Sequence, residues 1–381
     1  MEVIVVGAGI LGVSLSYSLL KRNVKVKLIE SVNVGAGTTA ISYAWINSHK
    51  KYPDSYHVLN LEGLKYWQNI IAPAVPESIK FNGHVEIASN EDHRFMLKTR
   101  FERLESLDYA ARWLSSTELD ALVPIKAQPE AIAAIFPWEG HAYPLELMRS
   151  LLNTMNHDPN FSLVHDKISN VALSNTSVRG ISGEIYSADQ IVLAAGHATS
   201  ELATSARIPL PMVAADVNGA AYGYLAYVSA PGHRLCRPAT TDTLNIRPHG
   251  PDNLILQALD LDSYANPARP IPETLSKKFM DRLQQLLPST KVQLREVKVG
   301  HRVIPADGLP ALGPAGVEEK NKIWIAATHS GVVLGPWLGE VLAEEITSGK
   351  PNELLADFRP NRFSYKEPLP YYSAPRKPGD Q

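Results

Sequence analysis

The 381-residue chain contains a single cysteine, Cys236. One thiol cannot close an intrachain disulfide, and it cannot build a cysteine-rich metal cluster. It suits a reducing compartment. Neither sign of charge dominates: 37 Lys and Arg stand against 39 Asp and Glu, a formal net charge of −2. That balance argues against a general nucleic-acid or membrane-surface binder, which needs a basic excess. Gly, Ser or charged residues interrupt every apolar run well short of the roughly 18 residues of a membrane-crossing helix. The opening Met-Glu-Val-Ile-Val-Val lacks a basic region and a small-residue cleavage site, so no signal peptide is expected. There is no internal repeat and no low-complexity tract. These absences lead us to expect a cytoplasmic globular protein with no nucleic-acid partner, no membrane span and no metal.

Apolar residues make up 45% and charged residues 20%, an ordinary globular composition. At about 150 residues per domain, the length implies two or three domains. Residues 2–6 (EVIVV) form a β-branched run without a polar face, which suits a buried parallel strand. Gly7, Gly9 and Gly12 follow, then an apolar helical pattern that ends in Lys21 and Arg22, and then a second strand pattern closing at Glu30. Residues 31–49 read as a long loop rich in Gly, Ser, Thr and Asn. Helices are expected over 55–72, within 93–122, over 144–155 behind Pro144, over 272–287 and over 337–348. Strands are expected between 161 and 196, through the proline-punctuated 206–260 and at 323–327.

The turn Gly7-Ala8-Gly9-Ile10-Leu11-Gly12 lies between strand and helix. Its first glycine permits the tight turn, the second admits a pyrophosphate to the backbone, and the third lets helix and strand pack closely. The helix start offers amide donors to phosphate. Glu30 lies 18 residues beyond Gly12, where a carboxylate can accept from ribose hydroxyls. An acid there disfavours NADP, whose 2′-phosphate it would repel. NAD and FAD both remain open on this turn. Gly35-Ala36-Gly37-Thr38-Thr39 and the loop to Trp45, Asn47 and His49 then favour FAD, because a nicotinamide enzyme normally continues straight into its next helix.

From here the chain resembles the D-amino acid oxidase, glycine oxidase and sarcosine oxidase superfamily of FAD-dependent amine oxidoreductases. Gly140-His141-Ala142-Tyr143-Pro144 is similar to that family's approach to the helix before its second FAD segment. Ile191-Val192-Leu193-Ala194-Ala195-Gly196 is similar to its strand and turn against the cofactor. Gly300-His301-Arg302 with Asp307-Gly308-Leu309-Pro310 and Gly313 resembles a further motif, with Val303 in place of the usual Pro. Ala327-Thr328-His329-Ser330-Gly331 and Leu334 to Gly339 resemble the turn before the last helix.

The resemblance implies an α/β fold. A Rossmann-like, glutathione-reductase-like FAD-binding domain is assembled from 1–80, 140–205 and 296–365. An α+β substrate domain built on an antiparallel sheet comes from 81–139 and 206–295, and 366–381 is an extended tail. It implies noncovalent FAD, since Cys236 does not fall where sarcosine oxidases attach flavin and Gly300 stands nearest that place. The cofactor-binding candidates are Gly7, Gly9, Ile10, Leu11 and Gly12 of the turn, Glu30 and Ser31, and Gly37, Thr38 and Thr39. They continue with Ile168, Ala195 and Gly196, then Gly331, Val332, Val333 and Leu334. Arg302 is the candidate anchor for a substrate carboxylate, since its planar fork binds one bidentately. Arg247 is a second candidate, and His49 and His329 are candidates to sit beside the flavin. Tyr222 and Tyr224 share one face of a strand and read first as core.

The activity implied is oxidation of the C–N bond of a small amino acid or secondary amine carboxylate, by hydride transfer to flavin N5 followed by imine hydrolysis. O2 or another carrier accepts the electrons; the lysine that promotes the oxygen reaction in sarcosine oxidases has no match in 240–258. Alternatives are a dehydrogenase subunit of a heteromeric amino acid or opine oxidase, with a partner subunit, an FAD enzyme on a 2-hydroxy acid, and a non-catalytic FAD-binding protein.

Overall fold

The computed structural model describes residues 1–173, 176–215, 220–315 and 322–364. The expected tail 366–381 lies outside the described residues.

A six-stranded sheet forms the first layer, in the order Ala311–Ala315, Ile323–Ala327, Gln190–Leu193, Glu2–Val6, Lys25–Glu30, Phe161–His165. Its pairings are parallel except the first, between Ala311–Ala315 and Ile323–Ala327. The β-branched run at the start takes the centre because both its faces are apolar. Val3 and Val5 enter one core, with the helices Ile10–Leu20, Pro144–Met155 and Gly331–Ser348. Ile4 and Val6 enter the other, beneath the hairpin strands Ile168–Ala172 and Ser177–Gly180 and the helix Thr199–Ser205. This is the two-sided burial that a parallel sheet requires.

The second layer is an eight-stranded sheet running Gln293–His301, Tyr222–Ser229, Asn253–Gln257, Asn245–Pro248, Ala239–Thr240, His84–Ala88, Ile132–Phe136, Arg112–Leu114. It is antiparallel except where Ala239–Thr240 runs parallel to His84–Ala88. The helix Glu273–Leu286 covers one face through Leu275, Phe279 and Leu283. A small sheet of Trp45–Ile46, Gly140–Ala142 and Ile79–Lys80 joins the layers.

Several elements differ from the sequence expectations. The expected domain boundary between 295 and 296 falls inside the strand Gln293–His301, which pairs along Tyr222–Ser229 in the second sheet. The segment 93–122 holds two helices, Glu91–Ser106 and Ser116–Leu122, within the one or two expected, but with an unexpected strand, Arg112–Leu114, between them. Asn90 caps the first of these, and a Ser115–Glu118 capping box opens the second. The last long helix begins at Gly331, six residues before the expected 337. Gly331, Gly335 and Pro336 hide its start, although Gly335 packs on Ile10 and Pro336 is buried.

Candidate cofactor and substrate site

At the carboxyl ends of the parallel strands, where open α/β sheets bind their ligands, two cavities of about 640 and 510 Å³ meet. Thr38, Ser42, His329 and Val332 line both, so they form one groove from the first helix to the second sheet.

Four residues of the glycine turn, Gly7, Gly9, Ile10 and Leu11, line the larger cavity. Gly7 has φ +101°, open to glycine at little cost. A methyl at Gly12 would run into the Gly7 carbonyl, so Gly12 serves helix–strand packing and lines neither cavity. A methyl at Gly9 would meet only Thr39 Oγ1, at 3.4 Å, and one at Gly37 or Gly331 would meet nothing within 4 Å. These three glycines border the cavity without any protein neighbour requiring them. Their open space fits the cradle of a dinucleotide.

Glu30 and Ser31 line the same cavity. The Glu30 carboxylate accepts from the amides of Ala8 at 2.8 Å, Ser31 at 2.8 Å and Val32 at 2.9 Å, which fixes it at the strand end. Thr39 Oγ1 accepts from the Ile10 amide at 3.1 Å, and Thr38 Oγ1 donates to the His301 carbonyl at 2.6 Å. Ile168, Ala195, Gly196, Gly331 and Val332 complete the expected lining. Val333 lines the smaller cavity, whereas Leu334 is fully buried and lines neither. The Trp67 indole donates to the carbonyls of Val332 at 2.9 Å and Val333 at 3.1 Å, holding the first turn of the last long helix.

The smaller cavity gathers the cationic residues. Arg302 lines it, but its fork is already engaged: it pairs with the Asp262 carboxylate and donates to the carbonyls of Ala220 at 3.1 Å and Tyr222 at 2.9 Å. About a sixth of the side chain, 17%, stays exposed. Gly223 is where the guanidinium rests, since a methyl there would collide with it. His329 also lines the cavity; desolvation, then the charges of Lys51 and Arg302, push its imidazole down to about 3, so it is neutral. Tyr224 belongs to the second sheet's core, as expected, and also borders the cavity.

His49 is placed elsewhere. It lines neither cavity, stacks on Phe136 with ring centres 3.9 Å apart, and engages both nitrogens, Nδ1 with Glu139 at 2.7 Å and Nε2 with Glu86 at 3.2 Å. No nitrogen is left for flavin or substrate. Glu86, fully buried, also meets Lys50 at 3.2 Å, Arg100 at 2.8 Å and His93 at 2.9 Å. His49, His84 and Glu86 bring three ligand atoms within 4.8 Å of one another, but the cations on Glu86 oppose a further positive charge. Arg247 is buried behind the cavity wall and lines neither cavity.

Sequence reasoning missed Lys50 and Lys51, both on the cavity wall and both pushed down to about 8, chiefly by desolvation. Among the described residues Lys51 has no carboxylate within 4 Å. It also missed Tyr43, Tyr56 and Gln257. The one available signal was a lysine pair closing a polar loop.

A family model described as "FAD dependent oxidoreductase" matches residues 2–345. A glycine oxidase of Geobacillus kaustophilus (strain HTA426) is 20% identical over 391 residues, covering 94% of this chain and 96% of its own. The crystal structure of glycine oxidase from Geobacillus kaustophilus superposes with a TM-score of 0.81 at 19% identity, covering 95% of this chain and 98% of that one. L-proline dehydrogenase from P. horikoshii gives 0.79 at 18% identity, over 95% and 97%. Iminodiacetate oxidase from Chelativorans sp. BNC1 gives 0.78 at 18% identity, over 94% and 98%. No helix among the described residues is long and apolar enough to cross a membrane.

Proposed function

The chain belongs to the FAD dependent oxidoreductase family, and on that premise we propose that it oxidises the C–N bond of a small amino acid or N-substituted amine carrying a carboxylate. The observation that carries this reading is Lys51 on the wall of the smaller cavity, a cation with no carboxylate within 4 Å among the described residues; Lys50 and Arg302 line the same wall but are paired with Glu86 and Asp262, and no Asp or Glu lines it. Such a wall attracts a carboxylate.

Bound FAD supplies the acceptor for the hydride that leaves the carbon beside nitrogen as the C=N bond forms. The Gly7–Gly12 turn, Glu30 and the 35–39 loop would hold its nucleotide portion, and the start of Gly331–Ser348 would border its ring. Amides at that helix start favour negative charge in front of them. Lys51 and the exposed edge of Arg302 receive the substrate carboxylate and so fix the carbon to be oxidised. Positioning of this kind supplies much of the rate. The same cations disfavour a substrate ammonium, helping its proton pass to water before the C–H bond breaks. Water then hydrolyses the imine to an oxo acid and an amine.

Oxidation of a 2-hydroxy acid would instead need a base at the hydroxyl. Of the two histidines expected to supply it, His49 has both nitrogens engaged and His329, at about 3, is a weak base. Anaerobic titration with a panel of N-methyl, D- and N-carboxyalkyl amino acids is expected to bleach the flavin absorbance. Bleaching by hydroxy acids and by no amine would overturn the amine reading. Return of colour on admitting air separates an oxidase from a dehydrogenase.

A further inference from the structure

We propose that Arg247, assisted by the Tyr43 hydroxyl, is a distal carboxylate receptor beyond the smaller cavity, so that the preferred substrates are amines bearing a second carboxylate. This rests on the amine reading above and names the substrate class within it.

Arg247 is 2% exposed, and among the described residues no carboxylate lies within 4 Å of it. Its Nη1 donates to the Pro248 carbonyl at 3.1 Å, and its Nε is buried without a partner. A guanidinium taken out of water without a counter-ion is costly. Aromatic rings do not compensate it well: the centres of Tyr43 and Tyr143 lie 5.9 and 5.8 Å away, at the outer limit of cation–π attraction. Other polar atoms nearby are also unsatisfied. The Tyr43 hydroxyl is buried without a partner, as are Nδ1 of His141 and Nδ1 of His249. Both imidazoles lie within the field of Arg247 and are held neutral, chiefly by burial. The guanidinium therefore lacks an acceptor anion among the described residues, and the Tyr43 hydroxyl beside it is free to donate to one.

Strand register places this cluster against the cavity. Asn245 stands opposite Gln257, and its side chain donates to the Gln257 side chain at 3.0 Å. Gln257 lines the cavity. Arg247, two residues on and opposite Ile255, occupies the same face one rung further, about 6–7 Å along the strand. Tyr43 stands between, lining the cavity while its ring faces the guanidinium. A substrate held at Lys51 and Arg302 by one carboxylate can deliver a second to Arg247 as the Tyr43 ring turns aside. The turned hydroxyl then donates to the same carboxylate.

The test compares N-(3-carboxypropyl)glycine with N-butylglycine, a pair of similar reach in which only one carries the distal charge. In anaerobic stopped flow the diacid is expected to reduce the flavin about 30-fold more efficiently, and this ratio is expected to collapse towards unity in Arg247→Met and to be partly retained in Arg247→Lys. Equal efficiency in the parent, or an unchanged ratio in Arg247→Met, overturns the proposal. Should Arg247→Met fail to fold, Tyr43→Phe is expected to lower the ratio several-fold, and an unchanged ratio counts against it. If neither compound bleaches the flavin, the amine reading is what fails. The receptor is then tested by perturbation of the flavin spectrum of the holoenzyme: pimelate, whose carboxylates stand as far apart as those of the diacid amine, is expected to bind at least tenfold tighter than heptanoate, and no difference overturns it.

Discussion

Gly9 and Gly12 lie three positions apart on one turn and answer to different neighbours. At Gly12 an added methyl meets the Gly7 carbonyl; at Gly9 it faces cavity. Gly12→Ala is expected to destabilise the protein by about 2 kcal/mol, read by denaturant unfolding of the apoprotein. Gly9→Ala is expected to stay within about 0.5 kcal/mol of the parent yet bind FAD at least tenfold more weakly, read by fluorescence titration. Lys51 makes a second residue-scale case. Its ammonium is pushed down to about 8, with Glu139 opposing the shift, so it is cationic below that pH and neutral above. Affinity for an unreactive carboxylate should therefore be fullest in the acid range and fall as pH rises through about 8. Lys51→Arg should remove that fall by keeping the charge. A persisting fall would assign it to Lys50. The turn glycines and Glu30 were legible in the sequence because their geometry is local. His49 was not: its partners Glu86 and Glu139 lie 37 and 90 residues away, and no spacing reports such contacts.

At the scale of elements, the strand His84–Ala88 carries Glu86 into a site with no solvent, where Lys50, His49, His93 and Arg100 converge from other segments. Burial alone would raise this carboxyl, but the surrounding cations and donors hold it well below the usual range. Its contribution to stability is therefore present at neutral pH and lost only as pH falls through that lowered value. Glu86→Gln leaves buried cations uncompensated and is expected to cost about 3–5 kcal/mol, measured by urea unfolding at pH 7. The packing of Gly331–Ser348 on Ile10–Leu20 gives another test. A Cβ at Gly339 would lie 2.6 Å from the Ser14 carbonyl carbon. Gly339→Val should therefore push the helices apart, destabilise by about 2–3 kcal/mol and loosen FAD, because Val332 and Val333 ride on the same helix. The central strands were legible from composition alone. The start of the last long helix was not, since Gly335 and Pro336 are set by what they pack against.

Across the whole molecule, the groove's two compartments predict separable ligand responses. ADP resembles the part of FAD that the larger cavity suits, so it should compete with FAD and raise the melting temperature of the apoprotein. Saturation a hundredfold above Kd corresponds to about 2.7 kcal/mol. ADP should leave the binding of a carboxylate at Lys51 in place, as followed by calorimetry. The αβ layer was readable because its period-two and helical patterns are strong. The second sheet was readable only in outline, because its strands come from four separated stretches and one of them, Gln293–His301, crosses the position where the change of domain was expected.

The Thr38 hydroxyl, on the loop beside the nucleotide cavity, grips the His301 carbonyl on the strand that runs into Arg302. Coupling between the flavin and the substrate is expected to run through that hydrogen bond. By thermodynamic reciprocity, whatever factor FAD contributes to the affinity for a substrate analogue, the analogue must return to FAD. Thr38→Val should shrink both factors together.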